Sequence, residues 1–401
     1  MLRDKRVVLG VTGSIAAYKA VELASRLTQA GAEVDVVMTR AATEFVTPLT
    51  CRSITHRPVV TEMFDLASEF SVEHVALAER AEVMVIAPAT ANVIAKLAAG
   101  IADDMLTCTV LATTAPVIIA PAMNVHMYQN PITQENLAKL SARGFTIVGP
   151  ASGVLACGEI GPGRLADIEQ LIGTIKQILG KKGDLAGRCI LVTAGGTQEP
   201  IDPVRHITNP SSGKMGYAVA EAARDRGARV ILVSAPTALS VPVGVERIPV
   251  RTALQMKEAV VQAAPAADAL IMAAAVADYR PAQKAERKIK KETTSLTLEL
   301  IRNPDILSEV KDDLIKVGFA AESENLVDNA RVKLKEKKLH LIVANDVTAP
   351  DSGFGVDTNK VVLIDAEGQV EPLPLLSKLE VAHKILDRVA ALLASRERGT
   401  K

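Results

Sequence analysis

Residues 6–11, RVVLGV, form an unbroken run rich in β-branched apolar side chains, and residues 33–38, EVDVVM, form a second. Between them, residues 15–30 place Ala, Val and Leu at helical spacing among Lys, Glu, Arg and Gln. The period therefore switches from strand to helix and back. It predicts a strand, a turn at Thr12-Gly13-Ser14, a helix over 15–30 capped by Ser14 and stopped by Gly31, and a second strand. This is a βαβ unit, the element from which parallel sheets are built. Two further apolar runs, at 83–87 and 116–120, lack the in-out alternation of a half-exposed strand and predict strands buried on both faces.

The pattern then starts again. A helical stretch over 166–179 gives way to the polar, Gly-rich segment 180–188, which reads as a linker. A new strand follows at 189–193, then Ala194-Gly195-Gly196-Thr197, a helix from about Ser212 to Gly227 and a strand at 229–234. Apolar runs at 269–274 and 339–344 predict further buried strands. The basic segment 284–291 reads as a loop and 398–401 as a frayed end. The expected fold class is α/β: two Rossmann-like three-layer domains with mostly parallel sheets, over residues 1–185 and 186–401. They share a layout but no motifs, so no internal repeat is assigned.

Composition supports two cores, since 401 residues with 48% hydrophobic content exceed the usual single domain. Lys plus Arg balance Asp plus Glu at 46 each, which argues against nucleic acid or a membrane surface as the main partner. The four cysteines form no CxxC pair, which disfavours a zinc site or a disulfide framework and fits a reducing, cytoplasmic setting. No signal-peptide core or membrane-length apolar run is expected. With no Trp and few aromatics, base-stacking platforms are not expected.

Candidate chemistry sits where open α/β sheets bind ligands, after the strands. Gly13, Ser14 and Ile15 open a helix whose free N–H groups suit a phosphate. Pro88-Ala89-Thr90-Ala91-Asn92 follows one apolar strand and Pro121-Ala122-Met123-Asn124 the next. Residues 153–164, GVLACGEIGPGR, are a Gly-rich loop with Cys157 at its middle. Such a loop can fold over a substrate and deliver a thiol, and its glycines argue against Cys157 as ordinary core packing. His74 stands in an amphipathic stretch, where spacing alone favours a structural histidine. Neither GxGxxG nor a Walker loop is present.

GVTGSIAAYKA, the HVALA context of His74, PAMN and ACGEIGPGR together resemble the flavin-containing cysteine decarboxylases, over nearly all of residues 1–180. The similarity is to the decarboxylase half of the bifunctional phosphopantothenoylcysteine decarboxylase / phosphopantothenate–cysteine ligases. That resemblance implies FMN held by Gly13, Ser14, Ile15, Thr39 and Pro88 to Ala91. It implies His74 as the active-site histidine, Asn124 on the substrate carboxylate and Cys157 as the acid that protonates the product. Cysteine has no electron sink for loss of its carboxylate, and prior oxidation of the thiol by the flavin creates one. Tyr128 stands where many relatives carry Trp.

In the second half, SSGKMG at 211–216 opens a helix and TAGGT at 193–197 is turn chemistry, both compatible with phosphate. Ala273 and Asp278 belong to AAAVADYRP, followed by the cationic run Lys288-Ile289-Lys290-Lys291, then Asn303, Pro304, Asp305 and Ile306, then GFAAE with Phe319, then ANDV. Lys333 and Lys337 are one helical turn apart and suit a triphosphate. This ordered set resembles the ligase half of the same family. It implies that a nucleoside triphosphate, CTP in bacterial members, activates 4′-phosphopantothenate as an acyl-nucleotide that cysteine's amine then attacks. By that resemblance Ala273, Asp278, Lys288, Asn303 to Ile306, Phe319, Lys333 and Lys337 contact the nucleotide. Asn209 handles the acyl intermediate, Arg205 lies near phosphopantothenate, and magnesium, with Asp278 as ligand, bridges the phosphates.

Two other classes compete: a nicotinamide oxidoreductase, disfavoured by the missing GxGxxG, and a non-catalytic flavin-binding regulator, disfavoured by Cys157, Asn124 and the complete ligase motif set. The resemblance further implies a homo-oligomer, with trimeric or dodecameric decarboxylase cores, a flavin site between subunits, and ligase halves paired as dimers.

Overall fold

The computed structural model describes residues 2–63, 73–156, 158–290, 295–311, 313–322, 324–346 and 355–399. The chain divides into two compact units, Met1–Leu179 and Gly180–Lys401.

In the first unit the expected apolar runs become β1 (Arg6–Val11), β2 (Glu33–Met38), β4 (Val83–Ala89) and β5 (Val117–Pro121), and two short strands that no run predicted, β3 (Val59–Val60) and β6 (Thr146–Ile147), extend the edges. They form one parallel sheet in the order β3-β2-β1-β4-β5-β6. Alternate residues of β1 enter opposite cores. Val7, Leu9 and Val11 pack with Leu23 and Leu27 of helix Ala17–Gln29 and with Leu171 and Ile175 of helix Ile168–Gly180. Val8 faces Met84, Ile86 and Ile94 on the other side. Burial on both faces is why these strands read as continuous apolar runs. A separate antiparallel ribbon, β7 (Ala151–Val154) and β8 (Ile160–Arg164), follows the sheet.

The first helix starts two residues later than its pattern predicts. Ser14 is not its cap: its Oγ accepts from the Ala16 N–H at 3.3 Å, and the cap position falls to Ala16, which offers no side-chain bond. Residues 12–16 are instead a turn, closed by Ser14 N–H to Thr12 carbonyl and Ala17 N–H to Ser14 carbonyl.

The second unit repeats the topology. Its strands are β9 (Cys189–Ala194), β10 (Gln198–Pro200), β11 (His206–Thr208), β12 (Arg229–Ser234), β13 (Glu246–Pro249), β14 (Ala269–Met272), β15 (Tyr279–Pro281), β16 (Leu300–Arg302), β17 (Ile315–Glu322), β18 (Leu341–Asp346), β19 (Thr358–Asn359), β20 (Val361–Asp365), β21 (Val370–Pro372) and β22 (Leu376–Ser377). The sheet runs β13-β12-β9-β14-β17-β18-β20-β21, parallel through β18 and antiparallel at its last two strands. Helices Lys214–Asp225 and Lys378–Gly399 cover one face, and Ala253–Ala263 and Leu326–Glu336 the other. The last helix reaches Gly399, so Arg398 is helical rather than frayed.

The segment 180–188 is not a free linker. Leu185 is fully buried in the second core, and a Cβ on Gly183 would lie 2.4 Å from the Arg226 carbonyl. Arg226 forms ion pairs with Asp184 and Asp387. Small and polar composition here records tight packing against Arg226, not freedom. β14 also ends earlier than its apolar run, at Met272, because the Ala274 N–H turns to Thr193 Oγ1 at 3.1 Å instead of continuing the ladder.

Candidate functional sites

In the first unit the strand order reverses at β1, with β2 on one side and β4 on the other, so their carboxyl ends splay around a crevice. Thr12 fixes two of the loops there: its Oγ1 donates to the Pro88 carbonyl at 2.7 Å and accepts from the Thr90 N–H at 3.0 Å. A Cβ on Gly13 would lie 2.5 Å from Ala41 Cβ, so only glycine lets the β1 loop rest on the turn after β2. Two adjoining cavities of about 560 and 570 Å³ open at this edge and share Ser14, Ala122 and Met123.

Gly13, Thr39, Thr90 and Ala91 line one cavity; Ile15 and Asn124 line the other. Pro88 and Ala89 are buried strand residues and line neither. The cavity at Thr90 meets the start of helix Ala91–Ala99, capped by Thr90 through the Val93 N–H. Its N-terminal turn is an anion site. Asn124 accepts from the His126 N–H at 2.8 Å through Oδ1 and donates to Glu159 Oε2 at 3.0 Å through Nδ2.

That last contact reaches into the β7–β8 ribbon, which lies over the Met123–Val125 segment. A Cβ on Gly163 would sit 2.3 Å from the Met123 carbonyl, and one on Gly161 2.8 Å from Val125 Cγ2. The glycines of GEIGPGR thus permit contact with the segment that carries Asn124. Cys157 itself lies outside the described residues, as does Lys291; near the ribbon's end the Leu155 N–H donates to the Glu159 carbonyl at 2.8 Å. His74 lies in the first turn of helix Glu73–Arg80, half-buried, and lines neither cavity.

Arg164, the end of the GEIGPGR loop, lines one of these cavities, and Lys96 and Asp104, which no motif marked, line the other. Lys96 donates to Asp103 at 2.7 Å and lies 3.5 Å from Asp104; the Asp103 hydrogen bond holds its ammonium above the ordinary lysine value.

In the second unit a cavity of about 480 Å³ opens over β14, β17 and β18. Gly318 pairs with Met272 on one side and Ile342 on the other, and all three line it. The sheet leaves room there because Gly318 has no side chain; a Cβ would meet Leu339 Cδ1 at 2.6 Å. Asp278, Asn303, Pro304, Asp305, Ile306, Phe319, Lys333 and Lys337 converge on this cavity: Asp278 from the loop after β14, 303–306 from the loop entering helix Ile306–Glu309, Phe319 from β17, and Lys333 and Lys337 from the end of helix Leu326–Glu336. Ala273 does not line it; Ala274, Val276 and Ala277 do. Asn303 is held at both ends, donating to the Ala277 carbonyl at 2.8 Å and accepting from Arg280 at 2.9 Å. Lys337 pairs with Asp305 at 3.3 Å. Among the described residues no group of three or more His, Cys, Asp or Glu is placed to hold a metal ion; the exposed Asp278 lines the cavity along with Asp305 and Glu336.

Asn209 lines a second cavity of about 400 Å³ with Gly196, Gln198, Ser211 and Ser212. Its Nδ2 donates at 3.3 Å to the Val276 carbonyl, in the loop that lines the first cavity. TAGGT braces that same loop: Thr197 Oγ1 accepts from the Ala277 N–H at 3.0 Å, and the Ala275 N–H donates to the Gly195 carbonyl at 2.9 Å.

Arg205 and Lys288 line neither cavity. Lys288 is exposed, and the Arg205 guanidinium is bound to Asp202 and to the Ile289 carbonyl. The two acids of TQEPID are also structural: Glu199 accepts from the Ala253 N–H at a helix start, and Asp202 organises the turn after β10. Burial would raise the Asp202 carboxyl, but the Val204, Arg205 and Ile289 N–H groups and the Arg205 guanidinium outweigh it and hold it well below the usual carboxylate range. No motif separated these anchoring acids from ligand-binding ones.

No helix among the described residues is long and apolar enough to cross a membrane. The Flavoprotein family matches residues 1–180, and the DNA/pantothenate metabolism flavoprotein C-terminal domain matches residues 185–393. The chain is 48% identical over 398 residues to the coenzyme A biosynthesis bifunctional protein CoaBC of Bacillus subtilis, covering 98% of each. It is 46% identical over 395 residues to the CoaBC of Escherichia coli K12, covering 97% of each. A crystal structure of the C-terminal domain of a CoaBC is 45% identical and covers 53% of this chain and 99% of that one, with a TM-score of 0.46.

Proposed function

The chain belongs to the family of bifunctional coenzyme A biosynthesis proteins, which join 4′-phosphopantothenate to cysteine and decarboxylate the product with FMN, and from that premise we propose how its residues divide the work. The decarboxylase lies in the first unit and the ligase in the second, with the boundary expected at 185/186 moved to 179/180 because Leu185 packs in the second core. The convergence of Asp278, Asn303 to Ile306, Phe319, Lys333 and Lys337 on one cavity is the observation that carries the ligase assignment.

In the ligase half CTP occupies that cavity, with Lys333 and Lys337 supplying positive charge to its phosphates. Magnesium keeps most of its water and needs only one or two protein carboxylates when phosphates supply the rest, a role that Asp278 can fill. Asn209 stands in the neighbouring cavity, bonded to the shared 273–278 loop, where it can meet the acyl-nucleotide. Lys288 comes to the phosphates from outside both cavities.

In the decarboxylase half the crevice at Gly13, Ser14, Thr39, Thr90 and Ala91 fits FMN: a glycine-drawn loop and a helix N-terminus suit its phosphate, and the adjoining cavity has room for the substrate. Bound there, FMN supplies the electron sink that cysteine's carbon skeleton lacks. Asn124, fixed by Glu159 and the His126 N–H, holds the substrate carboxylate, and Cys157 returns the proton. His74 lies away from the cavities of its own chain, which supports a homo-oligomer whose flavin site is completed across subunits. Ligase halves pair as dimers, and the protein works in the cytoplasm.

Incubation with phosphopantothenate, cysteine, CTP and magnesium, followed by mass analysis, tests both halves. Phosphopantothenoylcysteine and then phosphopantetheine should form. Failure to consume CTP, or ligation without decarboxylation by flavin-loaded protein, would overturn the corresponding half. Cys157→Ser should release carbon dioxide but accumulate a product two hydrogens lighter than the normal thiol, because a hydroxyl is a much poorer acid.

A further inference from the structure

The hairpin of β10 and β11 carries Asn209 just beyond one end and the turn 201–205 at the other. Inside that turn Asp202, 2% exposed, uses both carboxylate oxygens. Oδ1 accepts from the Val204 and Arg205 N–H groups, each at 2.8 Å. Oδ2 accepts from Arg205 Nε at 2.9 Å and Nη2 at 2.6 Å, and, across a long sequence separation, from the Ile289 N–H at 3.2 Å. Arg205 Nη2 completes the contact by donating to the Ile289 carbonyl at 2.7 Å. The Ala285 N–H donates to the Ile201 carbonyl at 2.9 Å, a second tie between the same segments. Both polar groups of the Ile289 backbone are therefore held by one acid–arginine pair, and the preceding residue is Lys288.

We propose that Asp202 is a positioning residue of the ligase: its buried carboxylate, with Arg205, ties the Ile289 backbone to the 201–205 turn and so fixes where Lys288 stands. This rests on the reading of Lys288 as a ligase residue. A solvent-exposed lysine on a loop would otherwise spend its time over many positions, and a charge acts on a phosphate only when held near it. The same hairpin then sets the placement of Asn209 and of Lys288 together. Within the clamp Arg205 uses its Nε and Nη2.

Asp202→Asn leaves one oxygen and one donor where two oxygens now serve five N–H contacts. Ile289→Pro deletes the N–H that Asp202 receives and leaves the 201–205 turn untouched. Both variants should lower ligase kcat on the order of tenfold, the effect of losing about one charge-assisted hydrogen bond, with the KM for CTP changed less than about twofold. Trypsin should cut after Lys290 in both variants, and after Lys288 in Asp202→Asn, faster than in the unsubstituted protein (Ile289→Pro itself shields the Lys288 bond from trypsin), while decarboxylation of supplied phosphopantothenoylcysteine is unaffected. In a Lys288→Gln background, adding Asp202→Asn should cost less than about a further twofold, because the positioned group is already gone. A full, independent loss in that background, or unchanged trypsin cleavage in both single variants, would overturn the positioning role. Normal ligase turnover in Lys288→Gln alone would instead overturn the reading of Lys288 on which the inference stands.

Discussion

At the scale of single residues, absence of a side chain is as decisive as any functional group. Gly318 opens the ligase cavity by leaving a gap in the sheet between Met272 and Ile342. Gly318→Val would push into Leu339, an overpacking cost of about 1–3 kcal/mol, and would fill the space assigned to the nucleotide. Loss of CTP binding by calorimetry, in a variant whose flavin content is normal, is the expected outcome. Asp202 gives a residue-scale prediction in pH. Its folded-state carboxyl is held below the unfolded value of about 3.9, so its contribution to stability is fully present above that pH and is lost only as pH falls through the folded value. The stability gap between the unsubstituted protein and Asp202→Asn should then be constant from about pH 5 to 9 by urea unfolding, and shrink in more acidic solution. Asp278, Phe319, Lys333 and Lys337 were legible because they stand in ordered motifs that resemble the ligase family, although Phe319 lies on a strand and Lys333 on a helix rather than in loops. Sequence reading could not tell that Arg205 has its guanidinium engaged by Asp202, because an acid and a base three residues apart read equally well as ligand groups.

At the scale of elements, apolar runs predicted strands well wherever both sheet faces are buried, as in β1, β2, β9 and β12. Ends were less legible, because they are set by tertiary hydrogen bonds. The helix after Ser14 is delayed by a turn, and β14 stops where Thr193 captures the Ala274 N–H. The β7–β8 ribbon was expected only as a loop. Its composition is too glycine-rich for strand propensity, and its glycines serve instead to lay it on the Met123–Val125 segment. Gly163→Ala tests this, because the new Cβ would collide with the Met123 carbonyl, a backbone atom that cannot swing aside. The variant should lose decarboxylation by several-fold or more, with ligase activity retained. Unimpaired decarboxylation would mean that the ribbon's seat on Met123 is irrelevant to the site.

At the scale of the whole molecule, two sheets share the order that places β1 or β9 centrally, with neighbours added first on one side and then on the other. Each sheet has its own pair of buried clusters, the first drawn from residues 2–178 and the second from 185–393. The boundary is therefore a matter of which core claims the intervening segment, and composition pointed to a linker because Gly and Lys dominate it. Packing assigns it to the second unit through Leu185, the close approach of Gly183 to Arg226, and the Arg226 pairs with Asp184 and Asp387. A fragment spanning 180–401 should therefore fold and retain ligase activity, whereas one beginning at residue 189 loses that seal on its core. Leu185→Ala isolates the main apolar part of the effect, and removing a fully buried leucine should cost about 2–5 kcal/mol in urea unfolding of the 180–401 fragment. Equal stability of the fragments starting at 180 and 189 would show that the segment is a tether after all, since neither the leucine nor the Asp184–Arg226 pair would then contribute to the fold.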